Sequence, residues 1–313
     1  MTSCLARADL AQSRRRVAAA LLFVCMLVPF AWSAEAVEVR HDLGAATVKA
    51  NPKRIVAFDF SILDSIDSLG IEGLEFAIPK QTVPPYLAKF KAESVVDAGG
   101  MKEPNLEKIF EFRPDVIFIS ARQTDYYDKF SQIAPTIYAN VDYKDFIPTF
   151  KKNMAMLGDL FDVREKADTM AGALADKAAA IAAKAQSDEK KALVVMVNDG
   201  AISVYGPGSR FGLIHDVLKV APADPGVRVS THGQSVDFEY LSRINPDILF
   251  VINRNAAIGN NGVSKVLDNE LVQNTKAGKT GKIIHLDSSV WYLSGAGLES
   301  LPIMLKEVDA ALQ

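Results

Sequence analysis

Leu106-Glu107-Lys-Ile-Phe-Glu-Phe-Arg-Pro114-Asp115-Val-Ile-Phe-Ile-Ser-Ala-Arg122 and Phe238-Glu239-Tyr-Leu-Ser-Arg-Ile-Asn-Pro246-Asp247-Ile-Leu-Phe-Val-Ile-Asn-Arg254 are two copies of one unit, 132 residues apart. In each, a glutamate precedes the Pro-Asp pair by seven positions and an arginine follows the proline by eight. An amphipathic stretch, a Pro-Asp stop and a short apolar run predict a helix that feeds a buried parallel strand. The arginine then stands just past the carboxyl end of that strand, where open α/β sheets bind ligands. The repeat therefore predicts a two-lobed chain in which Arg122 and Arg254 face one cleft from opposite sides.

The chain of 313 residues, 49% hydrophobic, has room for two domains with real cores. Its first residues are of another kind. Arg14-Arg15-Arg16, an apolar run from Val17 to Phe30 and Ala34-Glu35-Ala36 together form the pattern of a cleaved secretory leader, residues 1–36, in preference to a retained anchor. Both cysteines, Cys4 and Cys25, fall inside it, so a chain starting at Val37 has neither disulfides nor thiolate metal sites. Cys25 follows Phe23-Val24, a poor context for lipid attachment. The leader holds four of the 35 Lys+Arg and two of the 38 Asp+Glu, which leaves 31 basic against 36 acidic groups. Such a mildly acidic exported chain is not built for nucleic acid.

Strand and helix signals alternate from Arg54 to Ala139, as a parallel sheet covered on both faces requires. From Phe146 to Gln186 strand signals stop. Val163 to Ala185 is alanine-rich and free of proline, and as one helix it would reach about 34 Å, enough to join two lobes. After it the pattern restarts: a strand over Ala192–Val197, a turn at Asn198-Asp199-Gly200, a partner strand over Ile202–Tyr205 and a helix over Phe211–Val220. The expected segments are the leader 1–36, an N-terminal lobe 37–145, a helical linker 146–188 and a C-terminal lobe 189–313.

Three loops of the second lobe carry groups capable of chemistry. Tyr205-Gly-Pro-Gly-Ser-Arg210-Phe-Gly212 opens a helix and offers free amides beside a guanidinium, a combination suited to an anion. It lacks the lysine and spacing of a nucleotide-binding P-loop. His232, in Thr231-His-Gly-Gln-Ser235, is flanked by small and polar residues, whereas His215 and His285 fall in a helix and a strand and read as structural. Trp291-Tyr292 follows the last strand signal, over Lys282–Leu286. A phenolate is a hard donor and an imidazole a borderline one, so Tyr292 and His232 could complete the coordination of a ferric ion that arrives already chelated. The chain has no cysteine nucleophile outside the leader, no Gly-x-Ser-x-Gly, no His-Glu-x-x-His and no dinucleotide fingerprint, and it is read as a binding protein.

The Asn51-Pro-Lys-Arg-Ile-Val56 opening, the Pro104-Asn-Leu-Glu107 to Pro114-Asp115 unit, the linking helix and the Trp291-Tyr292 segment resemble the periplasmic ferric-siderophore-binding proteins of ABC importers. Ser120-Ala-Arg-Gln123, Gly208-Ser-Arg-Phe-Gly-Leu-Ile-His-Asp-Val217, Thr231-His-Gly233, Asn253-Arg-Asn255 and Gly297-Leu-Glu-Ser300 look closer still to the catecholate-binding subgroup. The resemblance covers the whole chain after the leader. It implies an α/β fold of two Rossmann-like lobes with parallel sheets, joined by one long connecting helix, with the ligand cleft between the lobes. It also implies a cleft lined by Arg122, Arg210 and Arg254, which neutralise the anionic chelate, with His232 and Tyr292 able to reach the iron of a tetradentate ligand.

The resemblance further implies a monomer that holds no permanent cofactor, since iron(III) comes and goes with the siderophore. Glu107 and Glu239, a helix and a strand away from the arginines, would dock on the permease of an inner-membrane ABC transporter, with Glu103 and Asp237 as neighbouring substitutes. The place of work would be the periplasm. The same fold could instead serve haem, cobalamin or another chelate, and a cell-envelope enzyme is the more distant alternative.

Overall fold

The computed structural model describes residues 36–259 and 267–313. The expected leader, with Cys4 and Cys25, lies outside the described residues except for Ala36, as do residues 260–266 of the C-terminal half, a polar and glycine-bearing stretch in the sequence.

A hairpin, β1 (Ala36–His41) with β2 (Gly44–Lys49), leads into the first lobe. There β3 (Arg54–Ala57), α1 (Phe60–Ser68), β4 (Glu75–Ile78), β5 (Val96–Asp97), α2 (Leu106–Phe112), β6 (Val116–Ile119), α3 (Tyr127–Ser131) and β7 (Thr136–Tyr138) follow one another. Their strands form an all-parallel sheet in the order β5-β4-β3-β6-β7. All four residues of β6 are buried, because helices and loops cover both faces of the sheet.

The linker is a packed pair rather than a lone rod: α4 (Phe146–Leu160) turns back at Asp162, whose φ is 55°, into α5 (Arg164–Gln186). Gly158 permits the tight corner, since a Cβ there would lie 2.7 Å from Arg164 Cα. The 23-residue α5 touches both lobes. Near its start Lys166 Nζ donates to Leu69 O (2.7 Å), just past α1, and near its end Lys184 Nζ meets Asp309 Oδ1 (2.8 Å).

The second lobe runs β8 (Lys191–Asn198), β9 (Ala201–Tyr205), β10 (Ala221–Pro222), β11 (Gln234–Val236), α6 (Phe238–Ile244), β12 (Ile248–Asn253), α7 (Arg254–Ala257), α8 (Glu270–Gln273), α9 (Lys276–Lys279), β13 (Ile283–His285), α10 (Ser288–Leu293) and α11 (Ser300–Ala311). Its sheet follows the order β11-β9-β8-β12-β13, with β10 beside β8. Strands β8, β12 and β13 are parallel, but β9 and β11 give the sheet an antiparallel edge. The cause is the two-residue turn Asp199-Gly200, both at positive φ, which closes a hairpin.

The two repeat copies fold alike. Helices α2 and α6 each end on a residue at positive φ, Arg113 and Asn245, and the proline that follows prevents their continuation. The aspartate after it has a role the sequence reading missed. Asp115 Oδ2 accepts from the backbone N–H groups of Lys53 (2.7 Å) and Arg54 (2.9 Å), and Asp247 Oδ2 accepts from that of Lys191 (3.0 Å). Each thereby fixes the start of its lobe's first sheet strand. The expected helix over Phe211–Val220 is only one wide turn, Leu213–Val217, closed by Leu218 N donating to Leu213 O (2.9 Å). It stops there because Lys219 adopts φ 57°.

One hydrophobic cluster crosses the molecule from Ile55 and Phe60 through Phe150 and Leu157 to Val194, Phe250 and Leu305. A separate cluster backs the other face of each sheet. Among the described residues no helix is long and apolar enough to cross a membrane.

Candidate functional site

The carboxyl ends of β6 and β12 do face one cavity, of 780 Å3, which takes lining residues from both lobes. Arg122 follows β6 on the turn Ala121–Tyr126. Ser120 caps that turn, and Gln123 Oε1 accepts from the Ser120 backbone N–H (3.1 Å). Arg254 opens α7 directly after β12, behind the cap residue Asn253, whose Oδ1 accepts from Ala256 N (3.2 Å). Arg210 comes from the glycine-rich loop, where Asp216 Oδ2 accepts from Gly208 N (2.5 Å) and Ser209 Oγ donates to Gly206 O (2.5 Å).

All three guanidiniums converge on Tyr292. Arg254 Nε donates to its phenol oxygen (3.1 Å), while Arg122 Nη2 (2.6 Å) and Arg210 both donate to its backbone carbonyl. Their Cζ atoms stand 5.4 Å (Arg122), 4.2 Å (Arg210) and 5.9 Å (Arg254) from the ring centroid. Tyr292 sits on the short helix α10, where the sequence suggested a loop, because Asp287 Oδ1 accepts from Ser289 N (3.0 Å) and Val290 N (3.3 Å) and caps it.

The electrostatics follow from this crowding. Burial by itself would raise the Tyr292 phenol, but the hydrogen bond from Arg254 and the fields of Arg210, Arg254 and Arg122 outweigh it and hold the phenol below its ordinary value. Burial and the like charge of Arg210 lower Arg122. Arg254 is also braced by Asn198, whose Oδ1 accepts from Nη1 at 2.9 Å. Asp59 caps α1, as a short polar residue at a strand-to-helix turn can, but it also lines the cavity, and burial raises its carboxyl. That second role could be read only from the fold.

His232 lines the same cavity from the turn Ser230–Gly233, in which Ser230 Oγ donates to Gly233 O (2.7 Å). Gly233 is at φ 74° and lies against Tyr205, so closely that a Cβ would come within 2.7 Å of the ring. That contact holds the His232 turn over the cavity. Trp291 is buried at the cavity wall and donates from Nε1 to Glu307 Oε2 (2.7 Å). His215 is buried and bonded through Nδ1 to Val220 O (2.8 Å), away from the cavity. Glu107 and Glu239 are exposed in the first turns of α2 and α6 and take no part in the cavity wall.

Chemically the arrangement suits a bulky anion, and its phenol of lowered pKa and its imidazole are donors that could reach a metal the anion carries. Among the described residues no group of three or more His, Cys, Asp or Glu could hold a metal by itself.

Known proteins share this architecture. The family described as "Periplasmic binding protein" matches residues 55–290. The petrobactin-binding protein YclQ of Bacillus subtilis is 46% identical over 282 residues, spanning 89% of each chain. Its crystal structure superposes with a TM-score of 0.86 over 89% of this chain and 99% of that one. The ferric-anguibactin-binding protein FatB of Vibrio anguillarum is 32% identical, covering 88% of this chain and 87% of FatB. The periplasmic catecholate-siderophore-binding protein VctP of Vibrio cholerae matches with a TM-score of 0.82 at 30% identity, over 88% of this chain and 100% of that one.

Proposed function

This chain belongs to the periplasmic binding protein family, and from that premise we propose that it captures an iron(III) catecholate siderophore for an ABC importer. The observation that carries the reading is the convergence of Arg122, Arg210 and Arg254 on Tyr292 in a cavity large enough for a chelate. Relatives named for petrobactin and ferric anguibactin make those two chelates the first to try.

Capture is electrostatic. A unit charge pair 4 Å apart gains about 4 kcal/mol at the effective dielectric of a protein surface, against about 1 kcal/mol in bulk water. Three guanidiniums fixed in advance therefore hold an anionic chelate with little reorganisation. A tetradentate ligand leaves two iron positions open, which Tyr292 and His232 fill. A hexadentate ligand leaves both residues as outer contacts.

Residues 37–145 and 189–313 act as the two lobes, with 146–188 as the linker, and α5 restricts them to a small closing motion. The chain works as a monomer in the periplasm after loss of residues 1–36. Glu107 on one lobe and Glu239 on the other present acidic side chains to the permease. Trp291 is the single tryptophan of residues 37–313 and borders the cavity, so it reports binding directly. A ferric bis-catecholate quenches its fluorescence at submicromolar concentration, and haem and cobalamin do not. No quenching with any catecholate removes the reading, and quenching by haem alone replaces it with a haem receptor.

A further inference from the structure

Gly297-Leu-Glu-Ser300 and the acid Asp64 play no part in the ligand cavity's charge, yet they meet across the two lobes. Asp64 and Ser65 lie on α1 of the N-terminal lobe and are fully buried. Tyr86, on the turn Pro85–Lys91 of the same lobe, places its Oη 3.0 Å from Asp64 Oδ2 and 2.7 Å from Ser294 Oγ. When Asp64 is ionised it only accepts, so the phenol proton goes to Asp64 and the Ser294 hydroxyl donates to the phenol oxygen.

The same carboxylate accepts from the backbone N–H groups of Glu299 (3.3 Å) and Ser300 (3.2 Å), where α11 begins, and Ser65 Oγ accepts from Leu298 N (3.1 Å). Gly297 comes so close that a Cβ would lie 1.8 Å from Asp64 Oδ1. An acid of one lobe thus caps a helix of the other, and losing a partner would leave buried polar groups unmatched.

The segment held this way is the continuation of α10. Tyr292 stands two residues before Ser294, and Ser294, Gly295 and Ala296 line the ligand cavity. Arg122 of the N-terminal lobe grips the Tyr292 carbonyl from the other side. We infer that Asp64, Tyr86 and Ser294 form an interlobe latch that positions Tyr292 for the ligand. The tyrosine belongs to the C-terminal lobe by sequence but is set by the N-terminal lobe. The cleft is therefore pre-organised before the ligand arrives, which lowers the ordering cost of binding. Only the nature of the ligand in this inference rests on the siderophore reading.

The test uses the chain 37–313 as wild type, Tyr86→Phe, Ser294→Ala and the double variant, with the iron(III) complex of a tetradentate bis-catecholate as probe. Each single variant weakens binding about tenfold, and the double variant is no weaker than either single. The Tyr292-dependent shift of the probe's visible band shrinks in all three. In the unliganded protein, amide exchange at residues 298–300 is faster in Tyr86→Phe than in wild type. A probe that fails to quench Trp291 in the wild type counts against the ligand reading, and the amide exchange then decides the latch alone: faster supports it, unchanged overturns it. Single-variant losses that add in the double, or a lowered Tm with the band shift intact, also overturn it.

Discussion

The two copies of the repeat place Arg122 and Arg254 at the same point, but the two lobes treat them differently. Arg254 is braced by Asn198 and donates to the phenol oxygen of Tyr292. Arg122 reaches across from the other lobe and grips the backbone carbonyl of that residue. The C-terminal lobe also supplies Arg210, His232 and Tyr292 itself, whereas the N-terminal lobe adds the buried acid Asp64 and Tyr86 behind them. A shared helix-to-strand unit therefore delivers two charges to one cavity, and on the proposed reading the lobe-specific surroundings divide the work: ligand chemistry on one side, positioning on the other.

The sharpest break in that comparison comes from Asp64. Burial raises its carboxyl from 3.8 to about 7, although Ser300, Glu299 and Tyr86 donate to it and pull the other way. Between those pH values the folded chain holds a proton that the unfolded chain has released. Its contribution to stability is thus complete below pH 3.8 and is lost as pH rises through about 7, a difference of roughly 4 kcal/mol. Urea midpoints of wild type and Asp64→Asn across this window diverge in slope, the variant being flatter. Equal slopes would mean that the latch carries no titrating acid.

Next in size is the contrast between the matched arginines. Arg254→Ala weakens ferric catecholate binding about a hundredfold, as loss of a partner from a partly buried charged site does. Arg122→Ala weakens it about tenfold, and equal losses would erase the asymmetry between lobes. No larger than the Arg122→Ala loss is that of Tyr292→Phe, which abolishes most of the visible band shift of a tetradentate chelate, weakens its binding about tenfold and leaves a hexadentate chelate unchanged. An unaltered band in this variant removes direct ligation by the phenol.

Much of this was legible in the chain because it depends on local signals. The Pro-Asp stop after an amphipathic helix, the apolar strand and the fixed offset to an arginine are sequence facts, and they located Arg122 and Arg254 at strand ends. The turn Asp199-Gly200 announced its hairpin in the same way. The latch was not legible, since Asp64 sits in Ile62-Leu63-Asp64-Ser65-Ile66 like any polar residue on a helix, and its partners in the other lobe, Glu299 and Ser300, lie more than 200 positions on. The pairing of α4 with α5 was missed because helical pattern alone does not show where a chain doubles back at a single residue such as Asp162. The lowered phenol of Tyr292 needs three guanidiniums from three separate elements, which only the fold assembles.

The most direct test is calorimetric titration of the chain 37–313 with one ferric bis-catecholate, in wild type and in the triple variant Arg122→Ala, Arg210→Ala, Arg254→Ala. The wild type binds one chelate with submicromolar affinity, and the triple variant, with its folding verified by circular dichroism, binds none. Equal affinity in the two proteins, or no binding by the wild type, contradicts electrostatic capture by this site.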